Sequence, residues 1–410
     1  MSEPVSLENL GAVVAGDHAA LLPAAATAGA QVRSTATAIA ERLPDLSDLR
    51  PRAVVVIAEG RAAHDAEIAV ALLGSDCPTP VLVRAELPVW VGALDVVLVL
   101  ESGSLTEAAT AAVSRRRGAT VLARAAARGQ VAEAVADAVY PPAIGVPEAL
   151  AGPGRLVFLL GAFSALGLLR PALDDEAVET VAELLDTEAI ACAPQTDAFV
   201  NPALTLAQQL VGHDIVLAGM GALSRSLAGH AATALGELGG AAALAIGAME
   251  LAQTAALMAR MATPRDIFAD PFDDNGPVPA PLRPVLMRAG SSQDERVAQL
   301  AAARFRALRA ALPSAAVLDG PEFSLSAPVT GLPEQPVRPE PTGWVRDWAA
   351  VALMTLRLDF AAVYLGIGRG QVAPLDGPAG LGTHDAGRSL LEPDTVVASY
   401  RAEEDVDRWN

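Results

Sequence analysis

The 410-residue chain contains no lysine: all 29 basic residues are arginine. That absence excludes Schiff-base, P-loop and kinase chemistry, each of which needs a lysine amine. Cysteine is nearly missing too. Cys77 and Cys192 stand far apart and in no metal-ligand spacing, so a disulfide framework and a thiolate metal site are not expected. Aromatic residues make up 4%, so a core must be assembled from Ala, Leu and Val. Charged residues reach only 19%, against 52% hydrophobic, which excludes a mainly disordered chain. Net charge is -19, the wrong sign for a nucleic-acid backbone or an anionic membrane, and neither is expected as a partner. No secretory signal is visible near Met1, so the cytoplasm is the expected compartment. The most apolar run, Leu156 to Leu169, is too short to cross about 30 Å of hydrocarbon and reads as a buried helix.

What is present is a repeated alternation of strands and helices. A helix over 12–43 is followed by the β-branched run Ala53 to Ala58, the turn Glu59-Gly60 and a helix over 62–73. Strands at 80–83, 96–100 and 120–123 surround a helix over 102–117. After a Pro- and Gly-rich stretch at 141–153 come two helices, 155–169 and 175–187. The plan then recurs: strand 214–217, the turn Gly219-Met220-Gly221, helix 224–238, strands 242–246 and 284–287, helix 295–312. Five prolines within 328–342 mark a linker before a last helix over 344–365. Continuous apolar strands alternating with helices predict an α/β fold with parallel sheets covered on both faces. The divisions are 1–150, a helical connector 151–200, a second unit 201–327, and 328–410 as linker, C-terminal helix and tail.

The chemistry concentrates after the strand at 96–100. Ser102, Ser104 and Thr106 stand where exposed backbone N–H groups and a helix dipole favour an anion, phosphate above all. Ordinary capping, with Glu107 closing the helix start, is the alternative. The turn at Gly219 to Ser224 is a partial dinucleotide fingerprint, a weaker reading because no acid clearly ends the next strand. The acidic loop over 264–276 reads as solvated charge. His18, His213 and His384 join no constellation, and His230 reads as a packed helix residue. No metal or other cofactor is expected.

The segment Glu101-Ser102-Gly103-Ser104-Leu105-Thr106-Glu107 resembles the phosphate loop of the bifunctional phosphoglucose/phosphomannose isomerase family, whose chains hold two SIS (sugar isomerase) units. Asn201-Pro202-Ala203 and Leu358 to Leu365 are similar to that family's opening of the second unit and its C-terminal helix. The resemblance covers roughly residues 30 to 370. It implies two flavodoxin-like SIS units with parallel sheets, helical flanks and a C-terminal helix, in a homodimer. It also implies aldose–ketose isomerisation of a phosphorylated hexose, the 6-phosphate of glucose, mannose or fructose. On that resemblance Ser102, Ser104, Thr106 and Gly60 hold the phosphate, Arg61 assists, and Glu237 is the base. Gln253 stands where the ring-opening His belongs, with His64 as a substitute, and Glu148 stands where the family has Arg. An amide cannot shuttle a proton near neutral pH. A non-catalytic sugar-phosphate sensor or partner is therefore the alternative to an isomerase.

Overall fold

The computed structural model describes residues 5–44, 46–102, 104, 106–262, 280–290, 295–320 and 341–370. Helices α1 (Leu10–Gly16), α2 (Leu21–Ala25) and α3 (Ala28–Arg42) replace the single helix expected over 12–43. The break has a local cause. The Asp17 carboxylate accepts from the amides of Leu21 and Leu22 at 2.8 and 2.9 Å, and Ala20 takes φ of 52°, which no helix admits.

The first sheet contains β1 (Ala53–Ile57), β2 (Val81–Arg84), β3 (Asp95–Leu100) and β4 (Thr120–Arg124), all parallel, in the order β2-β1-β3-β4. Helices α4 (Gly60–Leu72), α5 (Glu107–Arg116) and α6 (Gln130–Val135) follow β1, β3 and β4. α7 (Gly152–Ala165), α8 (Asp175–Cys192) and α9 (Pro202–Leu210) connect the halves. The second half repeats the first: β5 (Asp214–Gly219), α10 (Ala222–Glu237), β6 (Ala243–Gly247), α11 (Ala248–Gln253), α12 (Ala255–Ala262), β7 (Leu282–Arg288), α13 (Glu295–Ala311) and β8 (Ala316–Asp319), in the parallel order β6-β5-β7-β8. α14 (Gly343–Gly368) closes the described chain. The expected linker lies outside the described residues except 341–342, and the acidic loop over 264–276 lies outside them entirely.

Strand alternation assigns the faces. Val54, Val56 and Leu98 of the first sheet and Ile215, Leu217 and Val285 of the second enter one shared core with α3, α7, α8, α10 and α14. Val55, Ile57, Val97 and Val99 face outward into a smaller cluster with Ala111 and Val131. Val216, Ala218 and Leu286 do the same for the second sheet, with Phe305 and Leu308 of α13. The two sheets are thus joined back to back through helices, and α4 packs directly on α10. Gly229 on α10 makes room for the His64 ring: a Cβ there would stand 2.6 Å from its Nδ1.

α14 is the central beam. It contacts α8, α9 and α10, and a Cβ at Gly366 would fall 2.0 Å from the Leu238 carbonyl oxygen, so backbone meets backbone there. By length and composition this helix could cross a membrane, with mean hydropathy 1.6, yet 83% of its apolar window is buried inside the protein. That is the pattern of a core helix. Asn201, fully buried, ties it in. Its side-chain oxygen caps α9 by accepting from the Leu204 amide at 2.9 Å, and its amide donates to the Cys192 and Ala193 carbonyls and lies 3.4 Å from the Tyr364 hydroxyl. The Asn201-Pro202-Ala203 motif therefore does structural work.

Candidate functional site

In an open parallel sheet the chain leaves neighbouring strands in opposite directions at one point, and the crevice outside the carboxyl ends there is the usual binding site. In the first sheet that point lies between β1 and β3. Glu59 follows β1 and Glu101 follows β3. The helix expected from Ser102 begins only at Glu107, and the described Ser102, Ser104 and Thr106 are tied to carboxylates instead. Glu107 Oε1 accepts from both the Ser102 amide at 2.9 Å and the Ser102 hydroxyl at 2.6 Å. The Ser104 hydroxyl donates to Glu59 Oε1 at 2.8 Å, and the Thr106 hydroxyl donates to the same oxygen at 3.5 Å. Glu101 Oε2 accepts from the Ala126 amide at 2.6 Å.

Two carboxylates, Glu59 and Glu107, thus take the hydroxyls on which phosphate binding was expected to rest. Glu107 is only 1% exposed, and its second oxygen, Oε2, is buried with no hydrogen-bond partner among the described residues. Burial pushes its carboxyl above the ordinary value against the pull of the Ser102 bonds, and the nearby charges of Glu101 and Glu59 push the same way. A second negative charge at 4 Å costs about 4 kcal/mol at an effective dielectric near 20. One charge-assisted hydrogen bond returns only about 1.5–3 kcal/mol. The Ser102, Ser104 and Thr106 hydroxyls are already engaged by carboxylates of the protein.

Gly60 and Arg61 form the other wall, at the start of α4. Gly60 needs its lack of a side chain for φ of 52° and not for space, since a Cβ there would meet nothing within 4 Å. Arg61 is 5% exposed and turns into the seam between the halves. It donates to Asp359 of α14, lies 3.2 Å from His230 Nε2, and places Nη1 3.6 Å from Glu237. Its Nε and Nη1 have no hydrogen-bond partner among the described residues. Glu237, last residue of α10 and 45% exposed at its side chain, is thereby brought beside the first mouth by an element of the second half.

Behind Arg61 lies a buried polar network that the sequence did not announce. His230 Nδ1 is 2.7 Å from Asp65, and its Nε2 is 3.2 Å from Asp359. Arg155 donates to Asp65 at 2.7 Å and also pairs with Glu148. Burial and Arg61 pull the His230 imidazole down, but Asp359 and Asp65 outweigh them and hold it above its ordinary value. Burial likewise opposes the charge of Asp65, yet Arg155 and His230 hold that carboxyl well below the usual range. Arg124, buried and near Arg155, is pushed down to about 10. Asp359 and Arg155 carry a recognisable signal, charge set within apolar helices, but the Asp65 and His230 partnership spans 165 residues and no local pattern reveals it.

Gln253 stands apart from these groups. It ends α11, exposed, beyond the carboxyl end of β6 in the other sheet. α10 rises about 24 Å over its 16 residues, so it separates the carboxyl end of β5 from Glu237. His64 lies on α4 with Nδ1 3.2 Å from Glu67 and its ring against Gly229, turned to the seam between α4 and α10. In the second sheet the end of β7 is tied to the start of α10. The Ser224 hydroxyl accepts from the Ala289 amide at 2.6 Å and donates to the Ala289 carbonyl, while Gly219 packs so closely that a Cβ would lie 2.3 Å from the Ser224 carbonyl. No group of three or more His, Cys, Asp or Glu side chains among the described residues is arranged to hold a metal ion.

Solved structures share this arrangement over nearly the whole chain. A Bacillus subtilis protein provisionally described as a phosphosugar isomerase superposes with a TM-score of 0.56 at 16% identity, covering 85% of this chain and 96% of its own. The fold is the double sugar-isomerase fold. The C-terminal domain of glucosamine-fructose-6-phosphate aminotransferase from Francisella tularensis shares it, with TM-score 0.55, 13% identity and coverage of 86% and 97%. A hypothetical protein of Thermus thermophilus gives 0.59 at 13% identity, with coverage of 97% and 94%. No family model matches the chain, and no curated protein matches it in sequence. At such identities the sugar-isomerase fold is common ground while the site residues are this chain's own.

Proposed function

We propose that this chain is a non-catalytic protein of the sugar-isomerase fold, divergent from the phosphoglucose/phosphomannose isomerases, whose first-sheet mouth binds a sugar-like ligand without isomerising it. One observation carries the reading: the Ser102 and Ser104 hydroxyls, on which phosphate recognition would rest, donate to Glu107 and Glu59. Two others support it. The candidate base Glu237 faces the Arg61 guanidinium, and exposed Gln253 ends α11 beside the other sheet, where it offers no proton relay. Neighbouring structures bear names that concern phosphosugars, which supports a sugar as the ligand class. The same reading carries a cytoplasmic homodimer without nucleic-acid or membrane partners, consistent with a net charge of -19.

A second reading has its own observation. Arg61 keeps Nε and Nη1 without hydrogen bonds among the described residues, beside Glu237 at the mouth. In a divergent hexose 6-phosphate isomerase, Arg61, Gly60, Ser102, Ser104 and Thr106 would hold the phosphate once the hydroxyls left Glu59 and Glu107. Glu237 would move the proton, and Gln253 or His64 would stand in at ring opening. The purified protein is assayed for interconversion of fructose 6-phosphate with glucose 6-phosphate and mannose 6-phosphate, beside Glu237→Gln. Equal, background rates are expected. Turnover by the native chain well above the variant overturns the non-catalytic reading.

A further inference from the structure

We infer that a groove among the outer helices of the second sheet is a site for a small carboxylic acid with an unbranched apolar tail, the chemistry of a medium-chain fatty acid. The site is separate from the first-sheet mouth and adds a second ligand class. α11 and α12 on one side and α13 on the other leave a cavity of about 310 Å³ between them. That is the size of sites that take small organic ligands. By contrast a cavity beside Asp65 and Trp348 is about 20 Å³, room for a water molecule. Met220, the residue after β5, and Leu308 of α13 are buried and form the floor of the groove. Met249, 39% exposed, and half-buried Met258 stand at its opening, and alanines, Ala252 among them, complete the lining. Alanine leaves volume unfilled, and the flexible methionine thioether adapts its shape to an apolar guest.

Arg304 supplies the polar end. It lines the groove one helical turn before Leu308, and its guanidinium has no hydrogen bond or ion pair among the described residues. Its surroundings carry the same sign. α11, α12 and α13 hold five arginines against two acids, Glu250 and Glu295, in a chain whose net charge is -19. An anion is therefore drawn to this face against the field of the rest of the molecule. The guanidinium fork meets a carboxylate through two parallel N–H donors. One cation balances a carboxylate monoanion, whereas a phosphate dianion would leave a charge uncompensated. An apolar cavity with one free cation at its edge thus matches a molecule of the same polarity, its tail among the methionines and its head on Arg304.

The test is calorimetric titration of the full chain with butanoate, hexanoate and octanoate at low salt, with octan-1-ol as the uncharged control. Affinity is expected to rise about three- to fourfold per methylene, the gain from burying one CH₂. Octanoate is expected to bind about tenfold more tightly than octan-1-ol, as a charge-assisted pair gives. Arg304→Gln, an exposed change, is expected to erase the preference over octan-1-ol and to keep the dependence on chain length. Ala252→Phe fills the groove and is expected to abolish binding of every probe. Four results overturn the inference: affinity independent of chain length, equal affinity for octanoate and octan-1-ol, an unchanged preference in Arg304→Gln, or no binding at millimolar octanoate. A chain that sediments as a dimer and becomes monomeric in Met249→Asp also overturns it, because the groove then holds a second copy. None of these outcomes bears on the isomerase assay, which reads the first-sheet mouth.

Discussion

The two crevices of this molecule were built on one plan and have parted. In the first sheet, Glu59 and Glu107 engage the Ser104 and Ser102 hydroxyls, and one oxygen of the buried Glu107 carboxylate keeps no partner among the described residues. In the second, Ser224 binds both polar groups of Ala289, and Arg288 pairs with Asp319 at 2.5 Å on the adjoining strand ends. Both sheets have the same parallel order, so topology alone does not decide which crevice can take a guest. What decides it is whether the polar groups at the strand ends satisfy one another. In the second half they do; in the first, a carboxylate oxygen and two guanidinium nitrogens of Arg61 are left over among the described residues.

The contrast can be broken most forcefully from the seam behind the first crevice. Asp65→Ala removes the partner of both Arg155 and His230 in a site with almost no solvent, and is expected to cost about 3–5 kcal/mol, read as a fall in the urea midpoint. A loss below about 1 kcal/mol would mean the network is not formed as described. Next in size, Ser224→Ala leaves the buried Ala289 amide unpaired and is expected to cost about 1–3 kcal/mol while loosening the second crevice, seen as faster hydrogen exchange at that amide.

The smallest effect sharpens the contrast best. Because the Glu107 carboxyl is held above its ordinary value in the fold, protonating it favours the folded state. The stability it contributes in acid is lost as pH rises through the folded value. Glu107→Gln is therefore expected to flatten that part of the pH profile and to leave stability at neutral pH unchanged or raised, by less than about 1 kcal/mol. Melting curves from about pH 4 to 8 check this, and a clear loss of stability at neutral pH would show that the charge serves the fold and not the crevice.

The strands were legible because five β-branched and apolar residues in a row, as in Ala53–Ile57 and over 96–100, have few alternatives to a doubly covered parallel sheet. β8 escaped notice: only Ala316–Asp319, it is too short for periodicity to mark. α11 and α12 were missed for the same reason. The hydroxyls of the candidate site were legible as local helix-start chemistry, but their partner Glu59 enters from 45 residues away, and only the adjacency of β1 and β3 brings it there. Arg61 was expected to assist a phosphate because of the family resemblance around Gly60. Asp359, which engages it, arrives from 298 residues downstream.

α14 also sets a timetable. It is made after both sheets, yet it covers α8, α9 and α10, and its residues from Leu358 to Ile367 are buried without exception. Until it leaves the ribosome, the nascent chain carries an uncovered apolar trough along those three helices, with Asn201 and Arg61 lacking their Tyr364 and Asp359 partners. A chain cut before Gly343 is therefore expected to keep that trough open and to aggregate, the consequence of one late beam.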